Sequence, residues 1–299
     1  MSEIEREIAS QPSCWREAAL LGARSGDVMP SAGVRVAVVG CGTSLFMAQA
    51  WAALREGAEL GETDAFPASE APLGRPYGSV IAISRSGTTT EVERFLRNVR
   101  GPRRIALVGV PGTPVAEAAD VVIPLAFADE RSVVQTRFAT SVLAFARAWL
   151  GEDLEPVVAS AEAVLREPLP IDVSEHDHYV SLGAGWSVGL ANEGALKLRE
   201  AAQAWTESYP AMEFRHGPIS VVRPGSVVWA LGAVDPDVLQ QAGSAGATVV
   251  GGELDAMVEL VRIQRTAAAL ASARGLDPDH PRNLTRSVVL SDSGRPETG

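Results

Sequence analysis

Glu193, Lys197 and Glu200 fall in the stretch ANEGALKLREAAQAW, and spacings of i, i+4 and i+7 put all three on one face of a helix. Two carboxylates sharing a face with an ammonium can hold a base beside a carbon acid. The same spacing is more often a solvated salt-bridge face. Composition argues against that reading here, because all of the 26 basic residues except Lys197 are arginine. A chain that uses arginine for every other cation has a compact point charge at this one position. Downstream, His216 lies in a Phe-Arg-His-Gly-Pro turn. A histidine titrating near neutrality can exchange protons with an oxygen of a bound ligand, although a loop histidine without further context is more often structural or merely exposed.

Two glycine- and hydroxyl-rich loops offer a second kind of chemistry. GCGTS, with Cys41, Gly42, Thr43 and Ser44 after Gly40, follows the apolar run VRVAVV and precedes a helix. Glycine lets a backbone approach an anion closely, and the first N–H groups of a helix are unpaired donors. SRSGTT occupies the same position after the next strand, where Ser84, Ser86, Thr88 and Thr89 supply hydroxyls and Arg85 supplies charge. Either loop alone is most simply ordinary turn and cap chemistry. Two of them ending neighbouring strands point instead to one anion site, since ligands of open parallel sheets bind beyond the strands' carboxyl ends. Neither loop has the GxxxxGKS or GxGxxG spacing, so the expected ligand is a small phosphate ester rather than a nucleotide.

These loops need strands and helices to hold them. Short Val- and Ile-rich runs alternate with helical patterns, which predicts an α/β fold with parallel strands covered on both faces. The runs predict strands at 34–39, 79–84, 104–109 and 120–124, then 179–183, 226–231 and 247–251. Helices are predicted at 138–150, 189–206, 236–244 and 254–274, with a Pro-containing tail, DPDHPRNLTRSVVL, strapped over something. A length of 299 residues suits two domains of about 150 residues. The boundary is expected near Leu165, giving domains at 1–165 and 166–299.

Composition bounds the function. A net charge of −11 with scattered basic residues argues against nucleic acid and anionic lipid. No run of about 18 apolar residues is present, and the N-terminus MSEIEREIASQPSCWRE is an acidic amphipathic stretch rather than an export signal, so the protein is expected to be cytoplasmic and not membrane-bound. Cys14 and Cys41 cannot make a disulfide framework, and no Cys or His spacing predicts a metal site. No cofactor is expected.

Together, GCGTS, SRSGTT, EGALKLRE followed by HGP, and DPDHPRNLTRSV resemble the sugar isomerase (SIS) domain family, and most of all the two-domain isomerase half of glucosamine-6-phosphate synthases and its free-standing relatives. The likeness runs in order through nearly the whole chain. It implies two tandem SIS domains, each a flavodoxin-like three-layer αβα sandwich with a mainly parallel sheet, and usually a homodimer. It implies a sugar-phosphate substrate held by Ser44, Ser84, Arg85, Ser86 and Thr89, with Thr43 and Val133 nearby. By the same likeness Glu200 transfers a proton between C1 and C2, Lys197 and Glu193 position it or bind hydroxyls, and His216 assists ring opening from the partner subunit. The reaction implied is that of a phosphosugar isomerase or aminosugar-phosphate deaminase-isomerase. A fructosamine-phosphate deglycase and a non-catalytic sugar-phosphate sensor are the alternatives. Three departures stand out: the synthase's glutaminase domain is not expected, Arg286 stands where the synthase tail has an imine-forming lysine and is expected to bind the phosphate or a ring hydroxyl instead, and Gln135 alters the stretch SVVQTR beside the sugar pocket.

Overall fold

The computed structural model describes residues 1–290. The last nine residues of the expected second domain, 291–299, lie outside the described residues. Two helices lead, α1 (Glu3–Ala9) and α2 (Gln11–Ala23). The first sheet region follows as β1 (Val36–Gly40), α3 (Thr43–Gly57), β2 (Thr63–Pro67), β3 (Ser79–Ser84), α4 (Thr90–Asn98), β4 (Arg103–Val108), α5 (Pro114–Glu117) and β5 (Val121–Pro124). Helices α6 (Arg137–Trp149) and α7 (Glu155–Val164) lead to β6 (His178–Gly183), α8 (Ser187–Ala202), β7 (Trp205–Pro210), α9 (Ala211–Phe214), β8 (Ser226–Leu231), α10 (Pro236–Ser244), β9 (Thr248–Gly251) and α11 (Ala256–Ala273).

Every pairing is parallel, in the orders β2-β1-β3-β4-β5 and β7-β6-β8-β9. The first is the flavodoxin-like 2-1-3-4-5 order and the second is the same order with one strand fewer. Alternation along each strand explains the layers. Val36, Val38, Ile81, Ile83, Ile105 and Leu107 point into a central core that also takes Tyr179, Val227, Trp229 and Leu231 of the second sheet. The alternate residues Ala37, Val39, Val80, Ala82 and Val108 pack outward under α4 and α5, and Val180, Leu182, Val228 and Ala230 pack outward under α9 and α10. Each sheet is therefore covered on both faces, and the two sheets share the helical layer between them, which includes α3, α6, α8 and α11.

The apolar runs became strands as the alternation requires, but two strands were not predicted. Thr63–Pro67 and Trp205–Pro210 are sheet edges with one neighbour each and no fully apolar run. The helix expected at 189–206 stops at Ala202, because Gln203 turns left-handed (φ 51°) and the chain enters β7. The expected boundary at Leu165 coincides with the C-cap of α7.

Helices α3 and α8 cross at backbone distance. A Cβ on Gly189 would lie 2.4 Å from the Phe46 carbonyl oxygen and 2.9 Å from the Ala50 nitrogen. Farther along the same contact Asn192 Nδ2 donates to Gln49 Oε1 at 2.8 Å. Gly189→Ala must push the helices apart, and it is expected to lower stability by about 1–3 kcal/mol. Urea denaturation of the variant checks this, and an unchanged midpoint and slope would mean that the helices are not in contact there.

Candidate functional site

The first sheet reverses its strand order between β1 and β3, and the two hydroxyl loops leave those two strands at that point. Two glycines make the first loop possible. Gly40 passes so close to Ser44 that an added Cβ would meet its backbone at 2.5 Å, and Gly42 (φ 55°) faces open space. Thr43 and Ser44 begin α3 and are buried. Cys41 is no nucleophile, since burial and then Glu91 push its thiol up to about 11.

In the second loop Gly87 (φ 67°) sits where a Cβ would overlap the Thr113 hydroxyl. Ser84 Oγ accepts from the Gly87 N–H at 3.2 Å, and Ser86 Oγ accepts from the Thr88 N–H at 3.2 Å. Thr89 is the N-cap residue of α4. Arg85 is 2% exposed, and its guanidinium is engaged by carbonyls: Ser132 at 2.9 Å, Val133 at 3.1 Å and Arg286 at 2.8 Å. It braces three segments into one wall through its two terminal nitrogens, while its Nε lies buried without a partner. The Arg286 side chain pairs with Asp129. Gln135 carries a buried Oε1 with no partner.

Glu193, Lys197 and Glu200 do share a face of α8, and that face is buried rather than solvated. Lys197 is 1% exposed and Glu193 0%. The ammonium reaches Glu200 Oε2 at 2.6 Å, Glu193 Oε1 at 3.1 Å and Thr43 Oγ1 at 3.0 Å. An ammonium has three N–H donors and each finds an acceptor. Thr43 also donates to Glu193 Oε1 at 3.1 Å. The first loop, attached to one sheet, is thus bonded to Glu193 and Lys197 of a helix attached to the other. Glu200 is the partly exposed member, and its Oε1 has no hydrogen-bond partner among the described residues.

Electrostatics divide the two carboxylates. Burial pushes the Glu193 carboxyl up to about 7 against the pull of Lys197, and its Oε2 lies buried without a partner. Burial alone would depress the Lys197 ammonium, but Glu193 and Glu200 outweigh it and hold it charged. Burial thus favours the neutral form of Glu193. His216 is exposed at the turn after α9 and bonds none of these groups. Among the described residues no cluster of His, Cys, Asp and Glu could hold a metal ion, and no helix is long and apolar enough to cross a membrane.

No protein-family model matches the chain. The isomerizing glutamine–fructose-6-phosphate aminotransferase of Sulfolobus acidocaldarius is 30% identical over 307 aligned positions, covering 88% of this chain and 51% of that protein. The enzyme of the same name from Symbiobacterium thermophilum is 29% identical over 73% of this chain and 45% of its own. The chain spans about half the length of these relatives. The crystal structure of glucosamine-6-phosphate deaminase from Thermotoga maritima matches with a TM-score of 0.80 and 26% identity, over 97% of this chain and 100% of that one. The chain belongs to the sugar isomerase (SIS) domain family. Its two parallel sheets are two tandem SIS domains. At 21% identity and a TM-score of 0.74, tagatose-6-phosphate ketose/aldose isomerase of Escherichia coli shares the SIS fold. Proteins of this family include phosphosugar isomerases and deaminases.

Sequence reasoning placed Lys197 on the correct face but left its contact with Thr43 unstated, and it missed Ser287 of the tail, which touches the second loop. The asymmetry of Glu193 has a thermodynamic signature. The folded protein holds that proton to a higher pH than the unfolded chain does, so stability falls as pH rises from about 4.5 to about 7. Glu193→Gln is expected to flatten this part of the profile. Urea denaturation of both proteins at about pH 5 and about pH 7.5 decides it, and equal losses in the two would remove Glu193 as the cause.

Proposed function

We propose that this chain is a phosphosugar isomerase or aminosugar-phosphate deaminase-isomerase that moves a proton between C1 and C2 of a hexose or hexosamine 6-phosphate. The observation that carries the reading is the Lys197 contact: it fixes the Glu200 carboxylate relative to Thr43 at the start of the phosphate loop, at 2.6 and 3.0 Å. An enzyme of this type must hold the phosphate at one end of the substrate and a base at the other. Ser44, Ser84, Ser86 and Thr89, with the amides of Cys41, Gly42 and their neighbours, are assigned to the phosphate. Arg85 is assigned to bracing that site, together with Val133. Gln135, with its unpartnered buried oxygen, is assigned to a sugar hydroxyl.

The cyclic substrate first opens, with an acid at the ring oxygen and a base at the hemiacetal hydroxyl. His216 is assigned this task. It is exposed, bonds none of the Glu200 cluster in its own subunit, and has the exposed apolar side chains of Met212 and Val221 to either side in sequence, which suits delivery to a second copy in a homodimer. Glu200 then takes the proton from the carbon beside the carbonyl, giving an enediol or enolamine, and returns it to the neighbouring carbon. With a hexosamine the resulting imine adds water and releases ammonia. Lys197, its three N–H donors all engaged, holds the Glu200 carboxylate in place. Arg286, paired with Asp129 and always protonated, supplies no amine for a covalent imine. We assign the enzyme to the cytoplasm and place its domains at 1–165 and 166–299.

Glu200→Gln is expected to lower turnover by about 10²–10⁴-fold while leaving hexose 6-phosphate binding intact. Proton NMR of exchange at C1 and C2 in deuterated water, beside calorimetric binding, measures both. Wild-type protein that binds such esters and never exchanges a proton would be a sensor and not an isomerase. Glu200→Gln and His216→Ala, each inactive alone, are expected to recover partial activity when mixed and refolded together. No recovery would place His216 outside the partner's site.

A further inference from the structure

The tail holds a hydroxyl at the phosphate loop that the proposed function leaves unused. Ser287 is half-buried between the exposed Arg286 and Val288. Its Oγ accepts from Thr88 Oγ1 at 2.9 Å and from Ser86 Oγ at 3.2 Å. Two hydroxyls donating into a third leave that third proton without an acceptor among the described residues. The position is fixed from both sides. Arg85 donates to the Arg286 carbonyl at 2.8 Å, the Thr90 N–H donates to the Val288 carbonyl at 3.2 Å, and the Leu290 N–H donates to Thr90 Oγ1 at 2.9 Å. Within the tail itself, Thr285 Oγ1 donates to the Ser287 carbonyl at 3.0 Å.

We propose that Ser287 is a phosphate ligand supplied by the tail, its hydroxyl joining those of Ser86 and Thr88 around the anion. This rests on the reading of Ser84–Thr89 as the phosphate loop. All three hydroxyls are free to rotate, so an arriving phosphate oxygen takes the donated protons of Ser86 and Thr88 together with the unused proton of Ser287. Each such bond is charge-assisted and stronger than the hydroxyl–hydroxyl contacts it replaces. The tail thereby becomes part of the binding site through a side chain that ends two residues from the engaged Thr285.

Calorimetric titration with inorganic phosphate and with glucose 6-phosphate tests this. Ser287→Ala is expected to weaken both ligands by about tenfold, as loss of one hydrogen bond to a charged group does. Ser86→Ala is expected to weaken them similarly. Thr90→Val, which cuts the Leu290 anchor and leaves the Ser287 hydroxyl in place, is expected to bind as the wild type does. Weakened binding by Ser86→Ala with Ser287→Ala unchanged or tighter would overturn the role of Ser287, the tighter case marking it as a plug. Equal losses in Thr90→Val and Ser287→Ala would reduce Ser287 to a tail anchor and overturn it as well. Wild-type protein that takes neither ligand, or Ser86→Ala without effect, would overturn the phosphate loop itself.

Discussion

A buried ammonium has to be neutralised where it lies, and Lys197 is almost wholly buried. Its desolvation is offset only by good geometry to each of three acceptors, and the acceptors come from two different places. Glu193 and Glu200 are on its own helix, one turn to either side. Thr43 is brought by α3, from the other half of the chain. That third contact is possible because α3 and α8 touch at Gly189, where no side chain intervenes. The crossing at Gly189 and the ammonium at Lys197 thus depend on each other, and between them they set the distance from the Gly40–Ser44 loop to the Glu200 carboxylate. Arginine could not replace this lysine, because a planar fork of five donors does not fit three acceptors converging on a point.

The two halves share their first strand, loop and helix start and differ beyond it. Gly40-Cys-Gly-Thr-Ser44 and Gly183-Ala-Gly-Trp-Ser187 end equivalent first strands. Gly42 and Gly185 both have φ 55°, and an added Cβ on Gly40 or Gly183 would collide with the backbone of the serine four residues on. The second loops are unlike. The first sheet has Ser84–Thr89, rich in hydroxyls, whereas the second sheet follows β8 with Gly232, Ala233, Val234 and Asp235. The Asp235 carboxylate caps α10 by accepting from the Asp237 N–H, which fills that helix start with negative charge. The hydroxyl-rich second loop is thus found on the first sheet alone, and the second sheet carries α8 with Glu193, Lys197 and Glu200.

Around the Ser84–Thr89 loop the wall is built of buried charges. Burial lowers the Arg85 guanidinium against the pull of Glu130, and burial raises the Glu130 carboxyl against the pull of Arg85. Glu130 caps α6, accepting from the N–H groups of Thr136 and Arg137, and Glu7 accepts from the N–H groups of Arg131 and Ser132. Asp279 of the tail in turn accepts from the N–H groups of Glu3 and Ile4 at the start of α1. The two ends of the described chain are therefore tied to the same wall, which is why the tail lies on the loop rather than in solvent.

Much of this was legible in the chain. Periodicity gives strands and helices because burial on both faces demands unbroken Val and Ile runs, and it misses Thr63–Pro67 and Trp205–Pro210 because these edge strands, TDAFP and WTESYP, carry no such run. Residue type and spacing alone put Glu193, Lys197 and Glu200 on one face and hydroxyls at the ends of β1 and β3. What they could not give is which way a side chain turns when several partners compete. Arg85 reads as a phosphate cation and is engaged by carbonyls, and Arg286 is drawn to Asp129. Ser287, unremarkable in the sequence, rests on Ser86 and Thr88. Local propensity and apolar period determined the elements. Long-range packing, through the α3–α8 crossing and the tail's return, decided which polar groups meet, because a hydrogen bond requires positions that only the closed fold supplies.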